Sequence, residues 1–139
     1  MALILNLETA TACCSVALSE NDKIIHFKEE TSPNIHAGSL TLFIEEVMNA
    51  AGKQLADVDA IAVSMGPGSY TGLRIGISTA KGLCYSLDKP LIAVNTLKAM
   101  AKGFQLNTTD SDTDLLCPMI DARRMEVFTT IFDQQLEEV

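Results

Sequence analysis

Gly66-Pro67-Gly68-Ser69-Tyr70-Thr71-Gly72-Leu73-Arg74-Ile75-Gly76 is the stretch on which the fold turns. It follows a short apolar run, Asp59-Ala60-Ile61-Ala62-Val63-Ser64, that reads as a buried strand. It precedes a long segment with helical spacing. A strand, a glycine-proline-glycine turn and a helix start with free backbone N–H groups form an anion-binding geometry. The glycines allow close backbone approach and Pro67 fixes the turn. No Gly-Lys-Ser/Thr ends the block, so it is neither a Walker motif nor a dinucleotide fingerprint. Spacing alone favours a strand-to-helix turn with no ligand.

The helix opened by this turn carries Gly68, Gly72, Gly76 and Ala80 at four-residue steps. Each glycine inside a helix costs about 1 kcal/mol relative to alanine. A row of them therefore needs a compensating close approach. Two kinds fit the residues equally well: docking of another helix, or a tight contact within the same subunit. Leu73, Ile77 and Leu83 supply apolar bulk beside the row. Arg74 and Lys81, seven apart, share one face; they are solvated or pair with acidic partner residues at the rim of a docking surface.

Working outward, Leu3–Leu7, Cys13–Leu18 and Lys23–Glu30 read as three strands. Glu8-Thr9-Ala10-Thr11 and Asn21-Asp22 are the turns between them. Pro33-Asn34 breaks this meander. From His36 to Ala51 the spacing becomes helical, with Leu40, Phe43, Ile44, Val47 and Ala51 on one stripe and Gly52 as C-cap. After the strand near Ile61 come the glycine-rich helix from Ser69 to Leu87 and a strand from Leu91 to Val94. A short helix from Leu97 to Phe104 follows, with Asn95 or Thr96 as N-cap. The order β-β-β-α-β-α-β-α predicts an α/β fold, a mixed sheet with flanking helices of the ribonuclease H-like type. The polar stretch Leu106–Asp114 predicts a boundary between an N-terminal domain, 1–107, and the start of an incomplete second domain, 108–139. In that second unit Leu116–Ile120 and Glu126–Phe132 read as a hairpin around Asp121–Arg124, and the whole is expected to be truncated.

Composition narrows the function classes. With 10 Lys and Arg against 18 Asp and Glu the formal charge is −8. Phosphate neutralisation needs clustered cations, so autonomous nucleic-acid binding is disfavoured and any RNA would be held by a basic partner. No apolar run reaches the length of a membrane span, and no basic segment leads into an apolar one. Cys13, Cys14, Cys84 and Cys117 form no C-x-x-C pair, which fits reduced thiols in a cytoplasmic protein. His26 and His36 show no zinc spacing.

Nearly the whole chain resembles the TsaB (YeaZ) family of tRNA threonylcarbamoyladenosine biosynthesis proteins, within the actin, sugar kinase and Hsp70 ATPase superfamily. The matching residues are Leu7-Glu8-Thr9-Ala10-Thr11, His36, the block Gly66–Gly76, the strand Leu91–Val94 and Asp121-Ala122-Arg123. Glu8 stands where the family often has Asp. The resemblance implies a non-catalytic partner that heterodimerises with the metal-binding transferase paralogue TsaD, with the ATPase TsaE joining the pair. It implies contact with tRNA only indirectly, and no membrane.

The resemblance places docking on the helices His36–Ala51 and Ser69–Leu87. The implied contact residues are His36, Leu40, Phe43, Ile44, Val47, Ser69, Gly72, Leu73, Gly76, Ile77 and Ala80. The same helices would join two copies when the paralogue is absent. No cofactor is required. Weak ATP or ADP with Mg2+ is the remaining expectation, at Glu8, Thr9, Thr11, Gly66, Gly68 and Asp121. For Glu8, a turn carboxylate accepting local backbone N–H bonds is the favoured role. The paralogue's His-x-x-x-His metal pair corresponds here to Thr96 and Met100, and neither suits iron or zinc. No histidine follows residue 36, so a shifted alignment restores no pair. The alternatives are a stand-alone ATPase or small-molecule kinase of this fold, and a metal-dependent peptidase, which the absent histidines disfavour.

Overall fold

The computed structural model describes residues 1–31, 36–108 and 115–139, without the side chains of residues 36 and 37. Pro33-Asn34 and most of the predicted boundary segment lie outside the described residues. The elements are β1 (Leu3–Glu8), β2 (Cys13–Glu20), β3 (Lys23–Thr31), α1 (His36–Ala50), β4 (Ala60–Gly66), α2 (Tyr70–Leu87), β5 (Leu91–Asn95), α3 (Thr96–Asn107), β6 (Met119–Arg123) and β7 (Glu126–Thr129). The order predicted through α3 is the order observed. The 3-10 turn Leu55–Asp57 was not anticipated.

The five-stranded sheet runs β3-β2-β1-β4-β5. β1 is antiparallel to β2 and parallel to β4, and β4 is parallel to β5. This mixed order, with its helices, is the ribonuclease H-like arrangement. β1 alternates, sending Leu3, Leu5 and Leu7 into the core. β4 has a strand on each side, and Ala60, Ile61, Ala62 and Val63 are all buried. A central strand of a parallel pair tolerates that continuous apolar run.

α1 and α2 lie against one face of the sheet. Leu40, Phe43, Ile44 and Val47 of α1 join Leu5, Val16, Leu18, Ile61, Val63 and Ala80 in a single core. α1 ends as its sequence predicts. Gly52 has φ +63, its N–H reaches the Asn49 carbonyl at 3.0 Å, and Lys53 N–H reaches the Met48 carbonyl at 3.0 Å.

β6 and β7 form a separate hairpin, shorter than the run of residues suggested. Leu116 and Phe132 pair as an isolated bridge with two 2.8 Å backbone bonds rather than extending the strands. Both pack with Leu97, Ala101 and Leu136 in a second cluster, so α3 carries the C-terminal segment.

All four cysteines are free. Burial, and then neighbouring Cys13, Glu30 and Glu8, raise the Cys14 thiol above its ordinary pKa. Burial does the same for Cys84. Both thiols therefore stay neutral to higher pH in the folded chain than in the unfolded one. The stability this contributes is complete below the ordinary thiol range and is lost as pH rises through the raised values. A thiol reagent near neutral pH is expected to label exposed Cys117 first and Cys14 only on unfolding. Equal labelling rates in the native chain, measured by mass spectrometry, would contradict the packing of β2.

Candidate partner-docking surface

α2 begins where Ser69 caps it: the Ser69 Oγ accepts from Gly72 N–H at 3.2 Å, and Leu73 N–H reaches the Ser69 carbonyl at 2.8 Å. The Ser69 N–H in turn donates to the Ala10 carbonyl at 2.6 Å. The helix start is thereby fastened to the β1–β2 turn. Thr9 completes the fastening. It is fully buried, and its Oγ1 donates to the Gly72 carbonyl at 2.8 Å.

The glycine row faces this turn. A Cβ at Gly68 would overlap the Ala10 carbonyl oxygen, one at Gly72 the Thr9 carbonyl oxygen, and one at Gly76 the Thr9 Oγ1. The contact within the subunit, one of the two close approaches open from sequence, is present. Gly72, Gly76 and Ala80 are buried and offer nothing to a partner. The same correction applies to α1. Leu40, Phe43, Ile44 and Val47 are its core face, each at most 5% exposed. An apolar stripe at helical spacing meets the sheet before it can meet another protein. Of the remaining expected contacts, Ser69 is exposed, Leu73 and Ile77 are half-buried, and the His36 side chain lies outside the described residues.

The outward face of the layer is made of different side chains. On α2 these are Tyr70, Arg74, Ser78, Lys81 and Tyr85, all exposed. Their spacing of four, four, three and four places them on one stripe, opposite the glycine row. Tyr70 is 74% exposed and Tyr85 92%. The Arg74 guanidinium lies 5.5 Å from the Tyr70 ring centroid. On α1 the outward residues include Thr41, Leu42, Glu45, Glu46 and Asn49, with Leu42 56% exposed. Glu46 pairs with Lys28 at 3.0 Å. The shared face of Arg74 and Lys81 was readable from sequence. The two tyrosines were missed, although one helical step back from Arg74 and one on from Lys81 puts them on that face.

The expected phosphate set does not assemble as a cradle. Glu8 accepts from Ala10 N–H at 2.6 Å with one oxygen and from the Ser64 hydroxyl with the other. That is the local turn role favoured from sequence. Thr9 points inward, Gly66 is buried and Gly68 packs on Ala10. Thr11 accepts from Cys13 N–H at 3.2 Å. Asp121 is exposed and accepts from Arg123 N–H at 2.7 Å. The buried Thr9 hydroxyl is therefore withdrawn as a phosphate contact, since it already donates to the Gly72 carbonyl. Thr96 opens α3 as a buried residue, and Met100 is partly exposed one turn on. Among the described residues no three His, Cys, Asp or Glu side chains are placed to share an ion. No described helix is long and apolar enough to cross a membrane.

The family described as "TsaD: tRNA N6-adenosine threonylcarbamoyltransferase" matches residues 29–139. The Escherichia coli (strain K12) "tRNA threonylcarbamoyladenosine biosynthesis protein TsaB" is 39% identical over 125 residues, covering 90% of this chain and 52% of that protein. A "tRNA N6-adenosine threonylcarbamoyltransferase" of Jannaschia sp. (strain CCS1) is 50% identical over 72 residues, 52% of this chain and 20% of that protein. Among solved structures, "YeaZ from Pseudomonas aeruginosa" superposes with a TM-score of 0.84 at 33% identity, covering all of this chain and 64% of that one. The chain spans about half the length of the curated TsaB relatives it matches.

Proposed function

The chain belongs to the TsaD family, on its TsaB (YeaZ) branch, and from that premise we propose that it is a non-catalytic partner subunit in tRNA threonylcarbamoyladenosine biosynthesis. It docks to the transferase paralogue TsaD through the outward faces of α1 and α2, and TsaE joins that pair. It meets tRNA only through its partners, in the cytoplasm.

One observation carries this reading. α2 presents both tyrosines of the chain, together with Arg74 and Lys81, to solvent on a helix fastened from behind by Thr9. Tyrosine and arginine are the residue types that dominate binding energy at interfaces, and a rigid platform reduces the ordering cost of association. The position of Thr96 and Met100, where the paralogue's metal pair would stand, supports a chain that keeps the fold without the transferase chemistry. Docking requires no cofactor. ATP or ADP with Mg2+ is expected to bind weakly, because the Thr9 hydroxyl and the Glu8 carboxylate are committed to internal contacts.

Light scattering after size exclusion tests the proposal, with this chain mixed with the TsaD paralogue of the same organism. A 1:1 complex is the expected result. Two separate peaks at concentrations well above micromolar would overturn it. Without the paralogue, the same faces are expected to join two copies of the chain.

A further inference from the structure

The five-stranded sheet ends in β3 on one side and β5 on the other, and the two edges differ. β3 carries Lys23, Lys28, Glu29 and Glu30, and its register with β2 shifts between Leu18 and Ser19. Charges and bulges of this kind keep an edge strand from pairing with another chain. β5 reads Leu91-Ile92-Ala93-Val94-Asn95, with no charge and no proline, and Leu91, Ile92 and Ala93 are exposed in succession. Its backbone is open as well. Ile61 lies beside Leu91, and the Ile61 N–H donates to the Pro90 carbonyl at 3.1 Å. In a parallel ladder that phase turns the Ile92 backbone towards β4 and the N–H and C=O groups of Leu91 and Ala93 away from it. Among the described residues neither Leu91 nor Ala93 makes a backbone bond on that outer side.

Charge is divided unevenly about this edge. Residues 60–107 hold five cations, Arg74, Lys81, Lys89, Lys98 and Lys102, against one carboxylate, Asp88. The rest of the chain holds five cations and seventeen carboxylates. The basic interval is β4, α2, β5 and α3, and the strand order gathers it at the β5 end of the sheet. Lys89 stands two residues before β5, and Lys98 and Lys102 follow it on α3. Lys98 pairs with Glu137 at 3.8 Å; among the described residues the other four cations are in no ion pair.

We propose that the β5 edge is a second interaction site, independent of docking through α1 and α2, and that it takes an extended acidic segment of a partner protein as a sixth strand. Backbone bonds to Leu91 and Ala93 hold the segment, and its carboxylates meet the cations before and after β5. Alternate side chains of the segment pack on Leu91 and Ile92. At a formal −8 most of the chain repels such a segment, which directs it to this end of the sheet. Nucleic acid is the poorer occupant, because it has no strand to continue the ladder and the same net charge opposes it.

The test titrates the chain with a blocked synthetic peptide of about seven residues in which carboxylates alternate with valines. Amide hydrogen exchange by NMR and the anisotropy of a label on the peptide are the readouts. In the free chain the Leu91 and Ala93 amides are expected to exchange fast and the Ile92 amide slowly. Saturating peptide should slow Leu91 and Ala93 by about tenfold or more and leave Ile92 nearly unchanged. Ala93→Pro removes an outward N–H at an edge position that accommodates proline, and is expected to weaken peptide binding about tenfold. K89E/K102E should weaken it by about tenfold at low salt and less at high salt. K23E/K53E makes the same change of net charge at exposed sites away from β5, and should stay within about twofold of the parent. Melting temperatures of the variants identify any loss that comes from unfolding, and the exchange pattern of the parent chain needs no variant.

Unprotected Leu91 and Ala93 amides at about 1 mM peptide overturn the proposal. Equal binding of a peptide with lysines in place of the carboxylates also overturns it, since charge then selects nothing. Protection of the two amides that grows with the concentration of the chain alone makes a second copy the occupant, and the proposal is wrong. None of these results alters the complex expected with the TsaD paralogue, which light scattering reads separately.

Discussion

Replacing Gly72 with alanine is expected to destabilise the chain by on the order of 3 kcal/mol. The sign is the informative part. Alanine in place of an interior helix glycine ordinarily stabilises by up to about 1 kcal/mol. At Gly72 the new Cβ would overlap the Thr9 carbonyl oxygen, a backbone atom that no rotamer change can move aside. Relief requires α2 to lift from the β1–β2 turn. That lift strains the Thr9 Oγ1 bond to the Gly72 carbonyl and the Ser69 N–H bond to Ala10 together. Gly82 is the internal control: it is exposed on the same helix, with no atom within 4 Å of a Cβ built there. Gly82→Ala is expected to stabilise by roughly 0.5–1 kcal/mol. Urea midpoints for the two variants should move in opposite directions. A stable Gly72→Ala chain would mean that α2 is not seated on Thr9.

The second large effect concerns binding alone. The Tyr70→Ala/Tyr85→Ala variant is expected to lose about a hundredfold or more in affinity for the paralogue, since interface tyrosines at hot spots contribute about 2 kcal/mol or more each on truncation. Both rings are largely exposed in the free chain and contribute little to its core. Melting temperature should therefore stay near that of the parent. Loss of binding with an unchanged melt, by calorimetry and circular dichroism, separates this surface from the Gly72 contact. Binding that survives both truncations would place docking on another face.

The contrast between these predictions reflects what the chain does and does not display in its residues. Hydrophobic period made the strands and helices legible: Leu3, Leu5 and Leu7 alternate, and Leu40, Phe43, Ile44 and Val47 recur at helical steps. The caps were legible too. Gly52 and Asn95 do what their chemistry favours, with Asn95 Oδ1 accepting from Lys98 N–H at 3.1 Å. The glycine row announces a close approach without saying what approaches. Spacing defines a face, and the atom that meets it comes from a turn more than sixty residues earlier.

Thr9 shows the same limit. A threonine in a polar turn reads as a surface hydroxyl, and only the arrival of the Gly72 carbonyl makes its burial tolerable. Of the docking residues drawn from family resemblance, Leu40, Phe43, Ile44 and Val47 of α1 and Ala80 of α2 had already been claimed by the core. Leu116 and Phe132 read as strand ends by their apolar character. They meet only as an isolated bridge, and packing against Leu97 and Ala101 explains their burial.

The chain holds two tyrosines, and both lie on the outward stripe of α2. Tyrosine-selective nitration followed by mass spectrometry therefore reads the proposed docking face with no background from elsewhere in the chain. In the free chain both Tyr70 and Tyr85 should be modified rapidly. With the TsaD paralogue in saturating excess, both should be protected while the exposed Cys117 remains open to labelling. Protection of both tyrosines is what docking through α2 predicts; a demonstrated complex in which both remain as reactive as in the free chain would contradict it.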